Sequence, residues 1–191
     1  MKKTAVLLYD TCCLFELTVA LEMLTMAEKS IVYFGKSLEP IRTEEGMLVK
    51  PDRLIQDLDM DDFDSLLITG AFDAKDAVED ANVLEFISKF SDANRLIGAI
   101  YIAPIFLLKL GVLKGKPFMI GVEKEHLYEE GFTDEDLKHM VGWKESCEGK
   151  VPENYLKSEH VITSVAFGFR QWAMAIGKAL GIPLFPKSFD L

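Results

Sequence analysis

Residues 95 to 116 have the pattern of a strand, a sharp bend and a helix, with Tyr101 at the bend. The stretch reads RLIGAIYIAPIFLLKLGVLKGK, in which an apolar run ends at Tyr101. Pro104 suits the first turn of the following helix, where its missing N–H costs nothing, and Gly111 suits the end of that helix. In enzymes, a corner of this kind often carries the nucleophile.

Tyrosine at this corner raises the question of what chemistry it supports. Its phenol ionises near pKa ~10, and phenolate attacks acyl carbon poorly. Two interpretations stay open: Tyr101 fills the pocket and hydrogen-bonds to a nearby acid, or it serves as a general acid. Such a corner also favours positive φ, so we expect either a relaxed bend or a strained backbone at Tyr101.

Glu16 is the acid that the pattern places nearest to such a pocket. It lies early in a predicted helix whose neighbouring positions are mostly apolar. A buried carboxyl has a raised pKa and needs a partner, and we predict a hydrogen bond between Glu16 and Tyr101. The alternative is an ordinary first-turn glutamate on the outer surface, favoured by the helix dipole.

Cys12 and Cys13 precede the same helix. A thiol near a helix N-terminus can be acidified, which would make either cysteine a reactive group. The alternative is that both are small apolar fillers, since no histidine adjoins them in sequence. Cys147 has acidic neighbours and is predicted to be inert, and three cysteines make a poor disulfide framework that fits a reducing compartment.

The chain carries no recognisable metal or cofactor motif. His126, His139 and His160 lack the spacing of metal ligands, and the acidic stretch DLDMDD lacks the glycine and glutamate of a calcium loop. There is no phosphate-binding glycine loop. We therefore expect no metal and no cofactor.

Apolar strands alternate with helical patterns along the chain. Strand-like runs are TAVLLY, SIVYFG, DSLLITG, RLIGAIY, PFMIGV and HVITSV, and the helical patterns start at Leu14, Ala81, Pro104 and Arg170. Strands that are apolar throughout are buried on both faces. The fold class predicted is α/β, a three-layer α/β/α sandwich with a mainly parallel sheet, in which the loops after the first strand, DSLLITG and RLIGAIY meet at the strands' carboxyl ends. Trp172 is expected to pack the last helix on the sheet.

Length and charge limit the classes of function. The chain has 191 residues, 49% of them hydrophobic, and a formal net charge of -10. With no linker or repeat, we expect a single domain over residues 1–191. A net negative charge without a basic cluster argues against nucleic acid as a partner, and the short apolar runs argue against a membrane span or signal peptide, so we expect a cytoplasmic protein.

Four stretches together resemble the DJ-1/PfpI (ThiJ) family of the class I glutamine-amidotransferase-like superfamily. AVLLYDTCCLFELTVALEML is similar to the family's first strand and helix with its acidic residue, here Glu16. DMDDFDSLLITGA resembles the stretch that ends in Pro-Gly-Gly, and IGAIYIAPIFLLKLGVLKGK resembles the nucleophile elbow. VITSVAFGFRQWAMAIGKALG is similar to the last strand and helix. The resemblance implies a flavodoxin-like fold and a homodimer.

The same alignment of motifs shows departures from the family pattern. The family's cysteine falls on Tyr101, and the histidine that often follows it falls on Ile102. Ala103 replaces the glycine before the proline, and Ala71 replaces the second glycine of the oxyanion loop. The predicted site therefore has Glu16 and Tyr101 at catalytic positions, with Cys12, Cys13, Gly70, Ala71 and Ile102 as binding residues.

Two hypotheses for function follow from these residues. The first is a family member without thiol-dependent hydrolase chemistry that serves as a small-molecule-binding or stress-related module. The second is a hydrolase/amidase, or a small-carbonyl lyase or hydratase, that uses Glu16 and Tyr101 in the same pocket. A regulator's sensor domain is disfavoured because no helix-turn-helix pattern is found in the sequence.

Overall fold

A seven-stranded sheet forms the centre of the computed structural model, which describes residues 2–191. The eleven strands of the described chain are β1 (Lys3–Leu7), β2 (Ile31–Gly35), β3 (Ile41–Arg42), β4 (Leu48–Val49), β5 (Arg53–Leu54), β6 (Phe63–Ile68), β7 (Leu96–Ile100), β8 (Phe118–Met119), β9 (Met140–Val141), β10 (Tyr155–Ser158) and β11 (Val161–Ser164). The sheet order is β10-β11-β7-β6-β1-β2-β5, and every pairing is parallel except that of β10 with β11. The predicted α/β class with a mainly parallel sheet is confirmed.

Seven α-helices accompany the sheet in the described residues. They are α1 (Thr18–Met26), α2 (Lys75–Val78), α3 (Ala81–Asp92), α4 (Pro104–Lys109), α5 (Lys124–Glu129), α6 (Trp143–Cys147) and α7 (Phe169–Leu180). Helix α1 packs against α7, which also contacts β7 and β11, while α3 packs against α2, α4, β6 and β7. The apolar strands are thus covered by helices, as their sequences predicted.

Trp172 lies where α7 packs against the sheet. Trp172 is fully buried, and its indole N–H donates to the backbone carbonyl of Ile162 in β11 over 3.1 Å. The predicted packing of the last helix on the sheet is therefore confirmed.

One predicted strand differs in the structure. PFMIGV contributes only the two residues of β8, which pair with β9 in a separate two-stranded sheet rather than with the central sheet. A second small sheet, the antiparallel hairpin of β3 and β4, was not predicted. Apolar composition identified the first segment as extended, but it does not specify the strand's pairing partner or its length.

Candidate functional site

The loops after β1, β6 and β7 meet at the carboxyl ends of these neighbouring strands. The Cys13 N–H donates to the Gly70 carbonyl over 2.8 Å, and Cys12 forms an isolated antiparallel bridge with Ala71. The Tyr101 N–H donates to the Ser164 carbonyl over 3.0 Å, which ties the third loop to β11. The predicted meeting of the three loops is confirmed, and it lies where open parallel sheets usually bind ligands.

Tyr101 occupies a strained corner between β7 and α4. Its φ is 59°, in the left-handed region that bulky side chains rarely adopt, and Pro104 opens the helix three residues later. Of the two backbone outcomes expected for this bend, the strained one is found. A conformation of this kind costs roughly 1–3 kcal/mol and persists only where the surrounding structure imposes it.

Two glycines make room for the Tyr101 ring. A Cβ atom built on Gly70 would lie 2.5 Å from Tyr101 Cδ1, and one built on Gly121 would lie 2.1 Å from Tyr101 Cδ2. Both distances are far inside van der Waals contact, so a side chain at either position would collide with the ring. The Gly121 N–H also donates to the Tyr101 carbonyl over 2.8 Å. The ring therefore sits in a slot that these two glycines leave open.

Glu16 is buried beside this slot, with 1% of its surface exposed. Its Oε2 atom accepts hydrogen bonds from the Gly70 N–H over 2.8 Å and from the Thr69 hydroxyl over 2.9 Å. The predicted hydrogen bond with Tyr101 is wrong: among the side chains described, the Tyr101 hydroxyl makes no hydrogen bond to Glu16. The backbone amide and the threonine hydroxyl satisfy the carboxyl instead.

Burial raises the pKa of Glu16 from 4.5 to about 7. The hydrogen bonds from Gly70 and Thr69 oppose this shift, while the nearby carboxylates of Glu44 and Glu45 add to it. The predicted raised pKa and the placement of Glu16 away from the outer surface agree with the structure. A carboxyl of this kind exchanges a proton near neutral pH.

Glu45, which the sequence did not point to, reaches the site from the β3–β4 hairpin. Its Oε1 atom accepts from the N–H groups of Leu14 and Phe15, over 2.8 and 2.9 Å, and from the Cys13 thiol over 3.5 Å. Burial alone would raise the pKa of Glu45, but the hydrogen bonds from Phe15, from its own backbone and from other groups lower it overall. The only available signal was the Glu-Glu-Gly turn, which fits a hairpin loop but does not reveal what its glutamate contacts.

Cys12 and Cys13 are buried, with 0% and 2% exposure. Burial raises the pKa of Cys12 to about 11, and burial together with the charges of Glu16, Glu44 and Glu45 raises that of Cys13 well above its ordinary value. Neither thiol has the acidified environment that a reactive cysteine needs. Of the two interpretations made for these residues, the geometry favours the small apolar fillers.

This burial leads to a prediction about thiol labelling. At about pH 7.5, we expect iodoacetamide to modify only Cys147 in the native protein, because Cys12 and Cys13 are buried and protonated. The structure exposes Cys147, so this expectation replaces the inertness predicted from its acidic neighbours. Peptide mass spectrometry after a timed quench measures this, with guanidinium-unfolded protein as the three-thiol control. The variant Cys147→Ser should remain unlabelled, and rapid labelling of Cys12 or Cys13 in it would contradict the prediction.

A cavity of about 320 Å³ opens beside Tyr101. Its apolar walls come from Val78, Tyr101, Ile102, Ile105, Val122 and Leu127. Glu16 and Cys13 do not line it, so the predicted site residues divide into two groups. Glu16, Gly70, Cys12 and Cys13 are not part of its lining, whereas Ala71, Tyr101 and Ile102 are.

The described residues contain neither a cluster of metal-ligating side chains nor a membrane-spanning helix. Within residues 2–191, no group of three His, Cys, Asp or Glu side chains is arranged to hold a metal ion. None of the helices in that range combines the length and apolar character needed to cross a membrane.

Comparison with known proteins identifies the family of this chain. The model of the DJ-1/PfpI family matches residues 2–173. The chain belongs to the DJ-1/PfpI family. A solved DJ-1 superfamily protein from Agrobacterium tumefaciens shares this fold, with a TM-score of 0.80 and 20% identity, covering 100% of this chain and 95% of that one.

Two of the curated relatives carry names of enzymes. A Bacillus subtilis protein named "Putative cysteine protease YraA" is 33% identical over 116 residues, covering 60% of this chain and 69% of the relative. The Caenorhabditis elegans protein "Glutathione-independent glyoxalase DJR-1.2" is 26% identical over 117 residues, covering 61% of this chain and 63% of the relative. The chain spans between 35% and 69% of the length of the curated relatives it matches.

Proposed function

We propose that this DJ-1/PfpI protein binds a small molecule beside Tyr101 and has lost the thiol chemistry of the family. The observation that carries the proposal is the tyrosine ring at the strained corner between β7 and α4, enclosed by Gly70 and Gly121. The motif resemblance puts the family's cysteine at this position. The phenol of Tyr101 therefore occupies the position at which the resemblance implies a nucleophilic thiol.

The ionisation of the neighbouring groups supports the loss of nucleophilic chemistry. Burial, together with the charges of Glu44 and Glu16, raises the pKa of the Tyr101 phenol further above its ordinary value. A tyrosine that stays protonated at neutral pH is a poor nucleophile. The Cys13 thiol is buried, has a raised pKa and donates to Glu45, so it does not take over the role.

One observation favours an enzyme as the second candidate. Glu16 has a pKa of about 7, which suits a general base at neutral pH. Together with Tyr101 as a proton donor, it would serve a hydrolase/amidase, or a small-carbonyl lyase or hydratase. The names of the two relatives, a glyoxalase and a cysteine protease, agree with these reaction classes.

Turnover assays separate the two candidates. We expect wild-type protein to give no turnover above background with methylglyoxal, small amides or isonitriles, and Glu16→Gln and Tyr101→Phe to give the same result. Progress curves at two enzyme concentrations measure this, and an exposed change on α1, Glu22→Gln, controls for the substitution itself. Turnover by the wild type that is lost in both site variants would contradict the binding proposal and support an enzyme that uses Glu16 and Tyr101.

Homodimer formation and a cytoplasmic location remain proposals that rest on the family resemblance and on the composition of the chain.

A further inference from the structure

The cavity beside Tyr101 has an apolar interior and a charged rim. Buried or half-buried aliphatic side chains form its interior, and Phe72, which is 83% exposed, stands at its edge. From this arrangement we infer that the cavity takes a small uncharged molecule with an apolar ring or branched body, which Phe72 covers on the open side. The inference rests on the proposed function, because it names the ligand class of the same site.

The position of Glu16 explains why an uncharged ligand is favoured. Its carboxyl accepts hydrogen bonds from the Gly70 N–H and the Thr69 hydroxyl, and it does not line the cavity. A charged ligand group in the interior would lose its hydration and meet no counter-charge there. An apolar body instead exchanges water for contact with Ile102, Val122 and their neighbours.

The rim carries both signs of charge, with a small excess of acidic side chains. The exposed side chains of Lys75 and Lys109 face three exposed carboxyl side chains, Asp73, Glu129 and Glu130, and His126 also lines the rim. A net charge of -10 over the whole chain further disfavours an anion. A cationic head group would meet the acidic side chains of the rim only where they are exposed, and solvent screens that attraction. We therefore expect an apolar body to gain more in the interior than a charged head group gains at the rim.

The size of the cavity limits the ligand. A volume of about 320 Å³ lies at the low end of ligand pockets, which hold roughly 300–1,000 Å³, and equals the share of about ten liquid water molecules. This fits one substituted ring or a short branched chain rather than a peptide or a dinucleotide.

Phe72 has no other evident role. Its backbone N–H donates to the Thr11 carbonyl over 3.2 Å, which fixes the main chain while leaving the ring in solvent. An aromatic ring this exposed gains by being covered. A bound ligand body would cover it, so Phe72 is assigned as a specificity-determining residue.

Three probes of equal ring size test the inference. Benzyl alcohol, benzoate and benzylamine are titrated into ¹⁵N-labelled protein, and amide shifts give each dissociation constant. We expect benzyl alcohol to bind at least about fivefold more tightly than either charged probe, with the largest shifts at Ala74, Ile102 and Leu127. Benzoate or benzylamine binding as tightly as the alcohol would overturn the inference, as would the absence of saturable shifts at the cavity.

Two variants test whether the cavity itself is the site. Ala74→Leu places a larger side chain in the cavity, and its control is Ala175→Leu on α7, a change at an alanine of the same 9% exposure. Phe72→Ala removes an exposed ring and leaves the core intact. We expect affinity for benzyl alcohol to fall about tenfold in Ala74→Leu and in Phe72→Ala and to be unchanged in Ala175→Leu. Wild-type affinity in both cavity variants would overturn the inference.

Different results would contradict the ligand class and the proposed function. Turnover that requires Glu16 would contradict the proposal that the protein binds without catalysis, while the probe affinities would still define the ligand class. Probe affinities that are unchanged in Ala74→Leu and Phe72→Ala would contradict the ligand class, while the turnover assays would still test the proposed function.

Discussion

Relative to the variant Glu16→Gln, the free energy of unfolding of the wild type is expected to fall by about 3 kcal/mol as the pH rises from about 4 to about 8. The cause is the burial of Glu16, which raises its pKa from 4.5 to about 7 in the folded protein. Between these two values the unfolded chain has released the proton that the folded chain still holds, so the stability conferred by the neutral carboxyl is lost as the pH rises. Below about 4.5 the contribution is fully present, and above about 7 it is gone.

Glutamine suits this comparison because it does not ionise and keeps an oxygen that can accept from Gly70 and Thr69. The groups that act on Glu16 through their charge are Glu44 and Glu45 of the hairpin, and both remain in the variant. Urea unfolding of both proteins across the pH range measures the difference, and Glu22→Gln on the exposed face of α1 supplies the matched control. A difference between wild type and Glu16→Gln that stays flat from about pH 4 to about pH 8 would contradict the raised pKa.

The second large effect is expected at Gly121. Replacement by alanine should lower the free energy of unfolding by about 2 kcal/mol, because the added Cβ would lie 2.1 Å from Tyr101 Cδ2 and 3.1 Å from Tyr101 Cα. The φ of Gly121 is not positive, so the cost arises from the collision and not from the backbone. Chemical denaturation of the single variant measures it.

A double-mutant cycle assigns this cost to the tyrosine ring. In a Tyr101→Ala background, Gly121→Ala should destabilise the protein by at least about 1 kcal/mol less than it does in the wild type, because the ring that the new Cβ would strike is absent. In a Tyr101→Phe background the ring remains, so the full cost should persist. Equal costs in all three backgrounds would show that the slot does not depend on the ring.

The sequence predicted the sheet well because its signals are local. The apolar runs of β1, β6 and β7 determine which strands are buried on both faces, and Pro104 marks the start of α4. These features depend on residues only a few positions apart, so they can be recognised in the sequence without knowledge of the fold. The predicted burial of Glu16 follows from the same kind of pattern.

The site was less predictable because its contacts join distant residues. Glu45 reaches Leu14 across 31 positions in the chain, and Thr69 satisfies Glu16 across 53 positions, where Tyr101 was expected as the partner. No spacing rule connects a hairpin turn to a helix start in this way. Gly121 follows the two-residue strand β8, and its contact with Tyr101 depends on a strand length that the sequence does not specify.

The left-handed backbone at Tyr101 also bears on how the chain could change. Tyr101 adopts it between β7 and α4, and its backbone N–H donates to the Ser164 carbonyl, a bond that any residue except proline could make at this position. A smaller residue at position 101 would therefore inherit the same main-chain course and the same neighbouring carboxyl without a new arrangement of the sheet. Under the proposed function, a single substitution at position 101 would therefore be enough to change the chemistry of this corner without a change of scaffold.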